Sequence, residues 1–260
     1  MFMSIQCTFI GSGNLATRLA LRMFEKGIAI KQVYSRNLDN AEALAKQIKA
    51  EGVSDPAKVN KQGIDLFIVA LADKAYDEVL PYIDFGDKIV AHTAGSVPMK
   101  KLAESANTIG VFYPLQTFSK GRMVDFNEIP LCLEAESDEV LRFLEKVANI
   151  ITDDVRVVSS EDRKQLHLAA VFCCNFVNHL YALCESIVNK ADLNFDILRP
   201  LIKETASKIE TLSPKEAQTG PAIRYDKNII NNHLDLLDED ENLKNVYELL
   251  TSSIFKLHNQ

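Results

Sequence analysis

The glycine turn that follows the first apolar run constrains this chain more than any other feature. Residues Ile5–Ile10 run straight into Gly11-Ser12-Gly13-Asn14-Leu15-Ala16, and Asn14–Lys26 then carries a helical pattern. This is the GxGxxA form of the dinucleotide-binding turn, in its required strand–turn–helix setting. Gly11 permits the tight turn, Gly13 lets the backbone approach a pyrophosphate, and Ala16 lets the helix lie close to the strand. The helix N-terminus adds unpaired N–H groups and a partial positive charge. Gly11, Ser12, Gly13, Asn14 and Leu15 are therefore candidate cofactor-binding residues.

The end of the second strand discriminates between cofactors. An acidic residue there binds a ribose 2′-hydroxyl. This chain has Ser35-Arg36-Asn37 instead. A hydroxyl and a guanidinium suit a 2′-phosphate, which a carboxylate would repel. Ser35 and Arg36 thus point to NADP(H) rather than NAD(H). The alternative for Arg36 is a solvated surface side chain.

Up to residue 158 short β-branched runs alternate with charged helical stretches, the pattern of βαβ units and a mostly parallel sheet. Strands are expected at Ile5–Ile10, Ile30–Ser35, Asp65–Ala70, Lys88–Ala91, Thr108–Phe112, Pro130–Glu134 and Val155–Val158, with a short one near Gly52–Val53. Helices are expected at Asn14–Lys26, Leu38–Ile48, Lys74–Tyr82, Pro98–Glu104 and Asp138–Ile150, with Asp39, Asp73 and Ser137 at or near their N-caps. Beyond 158 the strands stop. Ser160–Asn189, Asp196–Leu212, Ile229–Leu236 and Leu243–Leu257 read as helices, Ser213–Tyr225 as loop or short helix, and the acidic run Asp238–Glu241 as a solvated turn. The fold class is α/β: a dinucleotide-binding domain over 1–158 and a helical substrate and dimerisation domain over 159–260.

Composition narrows the classes. With 260 residues, 25% of them charged, the chain is an ordinary globular one, and a net charge of −7 argues against a nucleic-acid coat. The five cysteines are odd in number and no CxxC pair occurs, so no disulfide framework and no metal site is indicated; a reducing cytoplasm fits. The apolar start Met1–Ile10 lacks the basic region and cleavage site of a leader. Leu166–Cys184 carries no Lys, Arg, Asp or Glu, yet it holds His167, Asn175, Asn178 and His179, which are costly in hydrocarbon. It is expected as a helix buried in protein on most sides, with no membrane involved.

In an open α/β sheet, ligands lie beyond the carboxyl ends of the strands. Ala70, Leu71 and Ala72 reach that edge on the nicotinamide-ribose side. Thr93 and Ala94, from His92-Thr93-Ala94-Gly95-Ser96, reach it next, and Tyr113-Pro114-Leu115-Gln116-Thr117-Phe118 follows. Ser96, Gln116 and Thr117 are uncharged groups suited to orienting a substrate; turn capping explains Ser96 and Thr117 equally well. No GxSxG elbow supports a hydrolase. On the long helix, Lys164, His167, Asn175 and Asn178 fall within an arc of about 80° if it is regular. His167 is the candidate proton donor or acceptor and Asn175 the candidate holder of a substrate oxygen. Both are also compatible with a hydrogen-bonded core.

The segments GSGNLA at 11–16, HTAGS at 92–96, YPLQTFS at 113–119, EDRKQLHLAAVFCCNFVNHL at 161–180, LRPLIKET at 198–205 and TGPAIRYD at 219–226 carry a resemblance. The chain resembles Rossmann-like proteins with a helical C-terminal domain of unknown function, family 2520. More widely it is similar to pyrroline-5-carboxylate reductases, ketopantoate reductases, β-hydroxyacid dehydrogenases and deazaflavin-dependent NADP oxidoreductases. The resemblance implies a Rossmann fold with a helical domain like that of 6-phosphogluconate dehydrogenase. It implies an NADP-linked oxidoreductase acting on a small molecule, and a homodimer joined through the C-terminal helices. Ketopantoate reductases place a Lys and two Asn where this chain has His167, Val171 and Asn175, which departs from their mechanism. Thr219, Pro221 and Arg224 resemble a substrate-closing loop; Arg224 suits a substrate carboxylate or a pairing with Asp226.

The expected activity is hydride transfer to or from a small carbonyl or imine compound, at a site between the two domains. The alternative is a catalytically silent dinucleotide-binding sensor or assembly protein. A third reading is electron exchange with a deazaflavin or flavin partner.

Overall fold

β-Branched and aromatic runs form eight strands in the computed structural model, which describes residues 5–259; the apolar start before Ile5 lies outside the described residues. The strands are β1 (Gln6–Ile10), β2 (Ala29–Tyr34), β3 (Glu51–Val53), β4 (Leu66–Val69), β5 (Ile89–His92), β6 (Thr108–Pro114), β7 (Leu131–Ala135) and β8 (Val155–Val157). Each coincides with an expected strand to within a residue or two at its ends, which is where assignments fray. Their order in one sheet is β3-β2-β1-β4-β5-β6-β7-β8. Neighbours are parallel except β6 and β7.

Parallel strands covered on both faces read as unbroken apolar runs. Along β4, Leu66 and Ile68 join one core cluster while Phe67 and Val69 join the other. The strand order reverses between β1 and β4, so the carboxyl ends of these two strands open a crevice at the topological switch point.

The helices α1 (Asn14–Glu25), α2 (Leu38–Gln47) and α4 (Asp138–Ile151) pack on the sheet. Asn37 caps α2 and Ser137 caps α4 through their side chains, while Asp39 and Asp73 sit in first turns rather than at N-caps. The expected helix Lys74–Tyr82 is only partly α: a single α turn, α3 (Tyr76–Val79), lies between two 3₁₀ turns. Pro81 supplies no N–H to continue it. Met99–Glu104 is 3₁₀ throughout, too short for a stable α nucleus.

The long helical run is not regular. It comprises α5 (Ser160–Ala170), a π-helical turn over Val171–Phe176, and α6 (Val177–Lys190). Nor is it covered as expected: none of residues 166–184 is buried, and Leu168 and Phe172 are 53% and 61% exposed. Absence of charge was a poor guide to burial here because an apolar helix face can equally stand at the surface. By length and composition alone, Ser160–Lys190 could cross a bilayer.

The chain divides into two compact units, 1–175 and 176–260. The strands do end at Val157, but α5 and most of the π turn belong with the sheet, so the division falls later than residue 158. The second unit contains α6, a 3₁₀ turn Phe195–Leu198, α7 (Arg199–Lys208), α8 (Pro214–Ala217), α9 (Pro221–Arg224), α10 (Lys227–Leu236) and α11 (Glu241–His258). Asn259 Nδ2 donates to the Ile223 carbonyl at 3.2 Å, and the Tyr225 and Phe255 rings lie 4.9 Å apart. The acidic turn is engaged: Asp240 caps α11 and Asp238 pairs with Lys244 at 2.8 Å. Among the unit's described residues only Ala222, Ile230, Leu243 and Thr251 are buried.

Candidate active site

Gly11 adopts φ +124°, a conformation open to glycine, and a Cβ there would stand 2.3 Å from the Ala70 carbonyl oxygen. The turn therefore lets β1 and the end of β4 approach closely. Gly13 is the N-cap of α1 and contributes no side chain; the first turn holds no acidic residue, so the helix N–H groups stay free for an anion. A Cβ on Gly13 would meet nothing within 4 Å, so the space beside the helix N-terminus is open. The buried Ser12 accepts the Thr17 hydroxyl at its carbonyl, 3.4 Å, and so braces the turn.

Ala70, Leu71 and Ala72 follow β4 at the crevice edge, as expected. Beside them, the Thr93 N–H and hydroxyl both donate to the Val69 carbonyl, at 3.0 and 3.3 Å. The Ala94 N–H donates to His92 Nδ1 at 3.1 Å, which folds the loop after β5. At the end of β2, Ser35 N–H donates to the Val53 carbonyl at 3.0 Å. The exposed Arg36 guanidinium pairs with Glu78 at 3.1 Å.

A cavity of about 640 Å³ opens alongside the glycine turn. Asn14 and Leu15 bring the N-terminus of α1 to it, and Tyr113, Leu115, Gln116, Thr117 and Phe118 bring the end of β6 and the following loop. Leu166, His167, Ala169, Ala170, Val171, Cys173, Cys174 and Asn175 complete the wall. All of these belong to the first unit. The structure thus unites Asn14, Leu15, Gln116, Thr117, His167 and Asn175 from the sequence-based expectations.

It does not unite the whole polar stripe. Lys164 and Asn178 are exposed and are not among the described residues lining the cavity. A π turn is wound more loosely than an α turn, so a reckoning at 100° per residue loses register for Asn178, which lies beyond 171–176; Lys164 precedes the turn and stands in regular α5, outside the wall. Ser96 is also elsewhere: it is exposed and its hydroxyl donates to Asp73 at 2.9 Å. Thr219, Pro221 and Arg224 lie in the second unit, where Gly220 at φ +106° precedes α9. Asp226 there caps α10 by accepting the Ile229 N–H at 3.4 Å, an engagement other than the pairing with Arg224 considered from sequence.

Three residues to which sequence reasoning gave no role, Tyr113, Gly95 and Arg163, hold His167 and its helix in place at the cavity. The Tyr113 hydroxyl lies 3.3 Å from His167 Nδ1, and the two rings meet edge to face at 6.3 Å. Burial pushes the Tyr113 phenol up to about 12, so it keeps its proton at neutral pH. Gly95 closes the other side: a Cβ there would stand 2.6 Å from His167 Nδ1. Beneath them, the fully buried Arg163 pairs with Glu134 of β7 and donates to the Val97 carbonyl at 2.7 Å. Ser160 joins Glu134 at 2.8 Å and receives the Met99 N–H at 3.1 Å. This network locks α5, β7 and the 97–99 segment together, one helical turn before His167. Nothing in residue spacing distinguishes Arg163 from the other charges at the start of the helix.

The loop after β6 is anchored from α1. Arg18 Nε donates to the Ser119 carbonyl at 3.1 Å, and Arg22 donates to the Asn127 side-chain oxygen at 2.5 Å, farther along the same connection. The helix that presents free N–H groups to the crevice therefore also holds Gln116, Thr117 and Phe118 at the cavity wall.

Comparison with known proteins fits this geometry. Residues 6–95 match the family described as NADP oxidoreductase coenzyme F420-dependent, and residues 129–254 match a domain of unknown function, DUF2520. A crystal structure named "putative NADP oxidoreductase" from Bacteroides fragilis is 48% identical to the chain, with a TM-score of 0.93, covering 97% of this chain and 98% of that one. The chain belongs to the NADP oxidoreductases. NADP(H) is the cofactor of this oxidoreductase. The Streptococcus pyogenes 1-pyrroline-5-carboxylate reductase shares the fold at 13% identity and a TM-score of 0.62, covering 97% of this chain and 99% of that one. An Aspergillus terreus reductive aminase, solved with NADPH and ethyl levulinate, shares it at 12% identity and a TM-score of 0.71, covering 98% and 95%. No curated protein matches the chain. The residues of the glycine turn fit such a cofactor: the uncapped helix start offers N–H donors and the side-chain-free Gly13 leaves room beside them.

Proposed function

We propose that this oxidoreductase transfers hydride between NADP(H) and a small carbonyl or imine compound held in the 640 Å³ cavity of its first unit. One observation carries the reading: the free N-terminus of α1, at Asn14 and Leu15, opens into the same cavity as the Tyr113–His167 pair. A nucleotide anchor and a proton-carrying group thus share one chamber.

Gly11, Ser12, Gly13, Asn14 and Leu15 would hold the pyrophosphate. Ser35 and Arg36 would hold the 2′-phosphate; the exposed Arg36–Glu78 pair is worth only about 0–1 kcal/mol and yields readily to a phosphate. Ala70, Leu71, Ala72, Thr93 and Ala94 would border the nicotinamide side. Bound NADPH supplies the hydride. His167 gives or takes the proton at the reacting heteroatom. Its Nδ1 is engaged by Tyr113, which leaves Nε2 for that work. The Tyr113 hydroxyl both donates and accepts, so it can stay bonded to Nδ1 in either protonation state. Asn175, Gln116 and Thr117 orient the substrate.

The protein works as a homodimer joined through its C-terminal helices, in the cytoplasm. The exposed apolar side chains Leu201, Leu249 and Leu257 support the first statement, and five free thiols support the second. Fluorescence titration with NADPH and with NADH tests the cofactor site. Arg36→Ala is expected to weaken NADPH about tenfold or more and NADH little, whereas Glu78→Gln is expected to tighten NADPH. Equal binding of both nucleotides by the unaltered protein would remove Arg36 from the phosphate site.

A further inference from the structure

The chemistry of the cavity wall narrows the substrate. Leu15, Leu115, Phe118, Leu166 and Val171 make much of it apolar. Its polar groups are amides, hydroxyls, thiols and one imidazole; none of the described residues lining it is Lys, Arg, Asp or Glu. We infer that the substrate is an uncharged, largely apolar carbonyl or imine compound that bears no carboxylate or phosphate. The inference rests on the oxidoreductase reading and sharpens it.

The physical reason is desolvation. An anionic substrate group that leaves water for a wall of this kind loses its hydration and meets no Lys or Arg among the described lining residues, while the N-terminus of α1 is committed to the cofactor's phosphates in the proposed reading. Among the described residues lining the wall, His167 is the one basic side chain. Its Nδ1 is already bonded to Tyr113, and a carboxylate seated on Nε2 would displace the reacting heteroatom from the proton donor. A neutral compound faces neither cost. Its apolar body gains by leaving water, and its one carbonyl or imine group finds the imidazole and the amides of Gln116 and Asn175. The volume falls within the range of small-molecule pockets.

Matched pairs test this in the full-length protein. Cyclohexanone is set against 4-oxocyclohexanecarboxylate, and 2-methyl-1-pyrroline against 1-pyrroline-2-carboxylate. NADPH oxidation gives kcat/KM, and calorimetric titration of the protein–NADP⁺ complex gives binding where turnover is slow. The neutral member of each pair is expected to be favoured by about 100-fold. Ala169→Arg, at an exposed helical position of the wall that tolerates a long side chain, is expected to narrow that gap at least tenfold. Equal or better use of the carboxylates by the unaltered protein would overturn the inference and leave the oxidoreductase reading standing. So would binding of neither neutral probe to a complex that does bind NADP⁺. Failure of NADPH itself to bind would remove the oxidoreductase reading, and the inference with it.

Discussion

His92 ends β5 with no exposed surface, and its Nδ1 accepts the Ala94 N–H. Burial, and secondly the charge of Arg163, push its pKa down to about 3. An unfolded histidine titrates near 6.5. As pH falls through that value, the unfolded chain takes up a proton that the folded chain refuses, so stability is lost toward acid and regained above it. Between pH 7 and pH 5 this one group should withdraw roughly 2 kcal/mol. His92→Asn keeps an acceptor for the Ala94 N–H and should flatten the dependence, as read from urea midpoints at the two pH values. Gly95 is the second residue under tight constraint. Gly95→Ala would drive the His167 ring from Tyr113. A displacement near 1 Å can lower kcat about 10²-fold. NADPH affinity should hold, because the glycine turn is untouched. Overpacking should also cost about 1–3 kcal/mol, recovered in Gly95→Ala/His167→Ala, where the opposing ring is gone.

Between elements, the Arg163–Glu134 pair is the joint that sets where α5 stands. Arg163 is fully enclosed, and its partner side chain is 19% exposed. Removing one member leaves the other charge half-stranded, which typically costs about 3–5 kcal/mol. Arg163→Met should show that loss in a urea midpoint, and Arg163→Met/Glu134→Gln should recover part of it. The elements themselves were largely readable beforehand. Every strand was expected because parallel strands need unbroken apolar runs, and α1, α2 and α4 because their polar and apolar residues alternate at helical period. The π turn at Val171–Phe176 was not readable. Its residues differ in no evident way from ordinary helix formers, and only the packed chain separates His167 and Asn175 from Lys164 and Asn178.

At the scale of the whole molecule, the second unit buries few of its described apolar side chains. Leu201, Leu249 and Leu257 are 63%, 70% and 59% exposed. The proposed homodimer, joined through the C-terminal helices, would cover such side chains. Sedimentation equilibrium should therefore return twice the chain mass of 29.1 kDa, with a Tm that rises with protein concentration. Leu249→Lys/Leu257→Lys should give a folded monomer, since exposed positions carry little folding energy of their own. A monomeric unaltered chain with a concentration-independent Tm would remove the dimer.

The residue pattern determined the sheet, the glycine turn and the cofactor class, because these rest on local chemistry: a strand, a turn open to glycine, a free helix N-terminus. It determined the candidates His167, Asn175, Gln116 and Thr117 as well, since each lies at a strand end or on a polar helix position. Tertiary structure alone decided which of them meet. Tyr113 and Gly95 reach His167 across long stretches of chain, and Arg163 finds Glu134 from a different element. Ser96 turned instead to Asp73. Such pairings depend on where elements pack, and packing distance is a property of the folded chain that residue spacing does not encode.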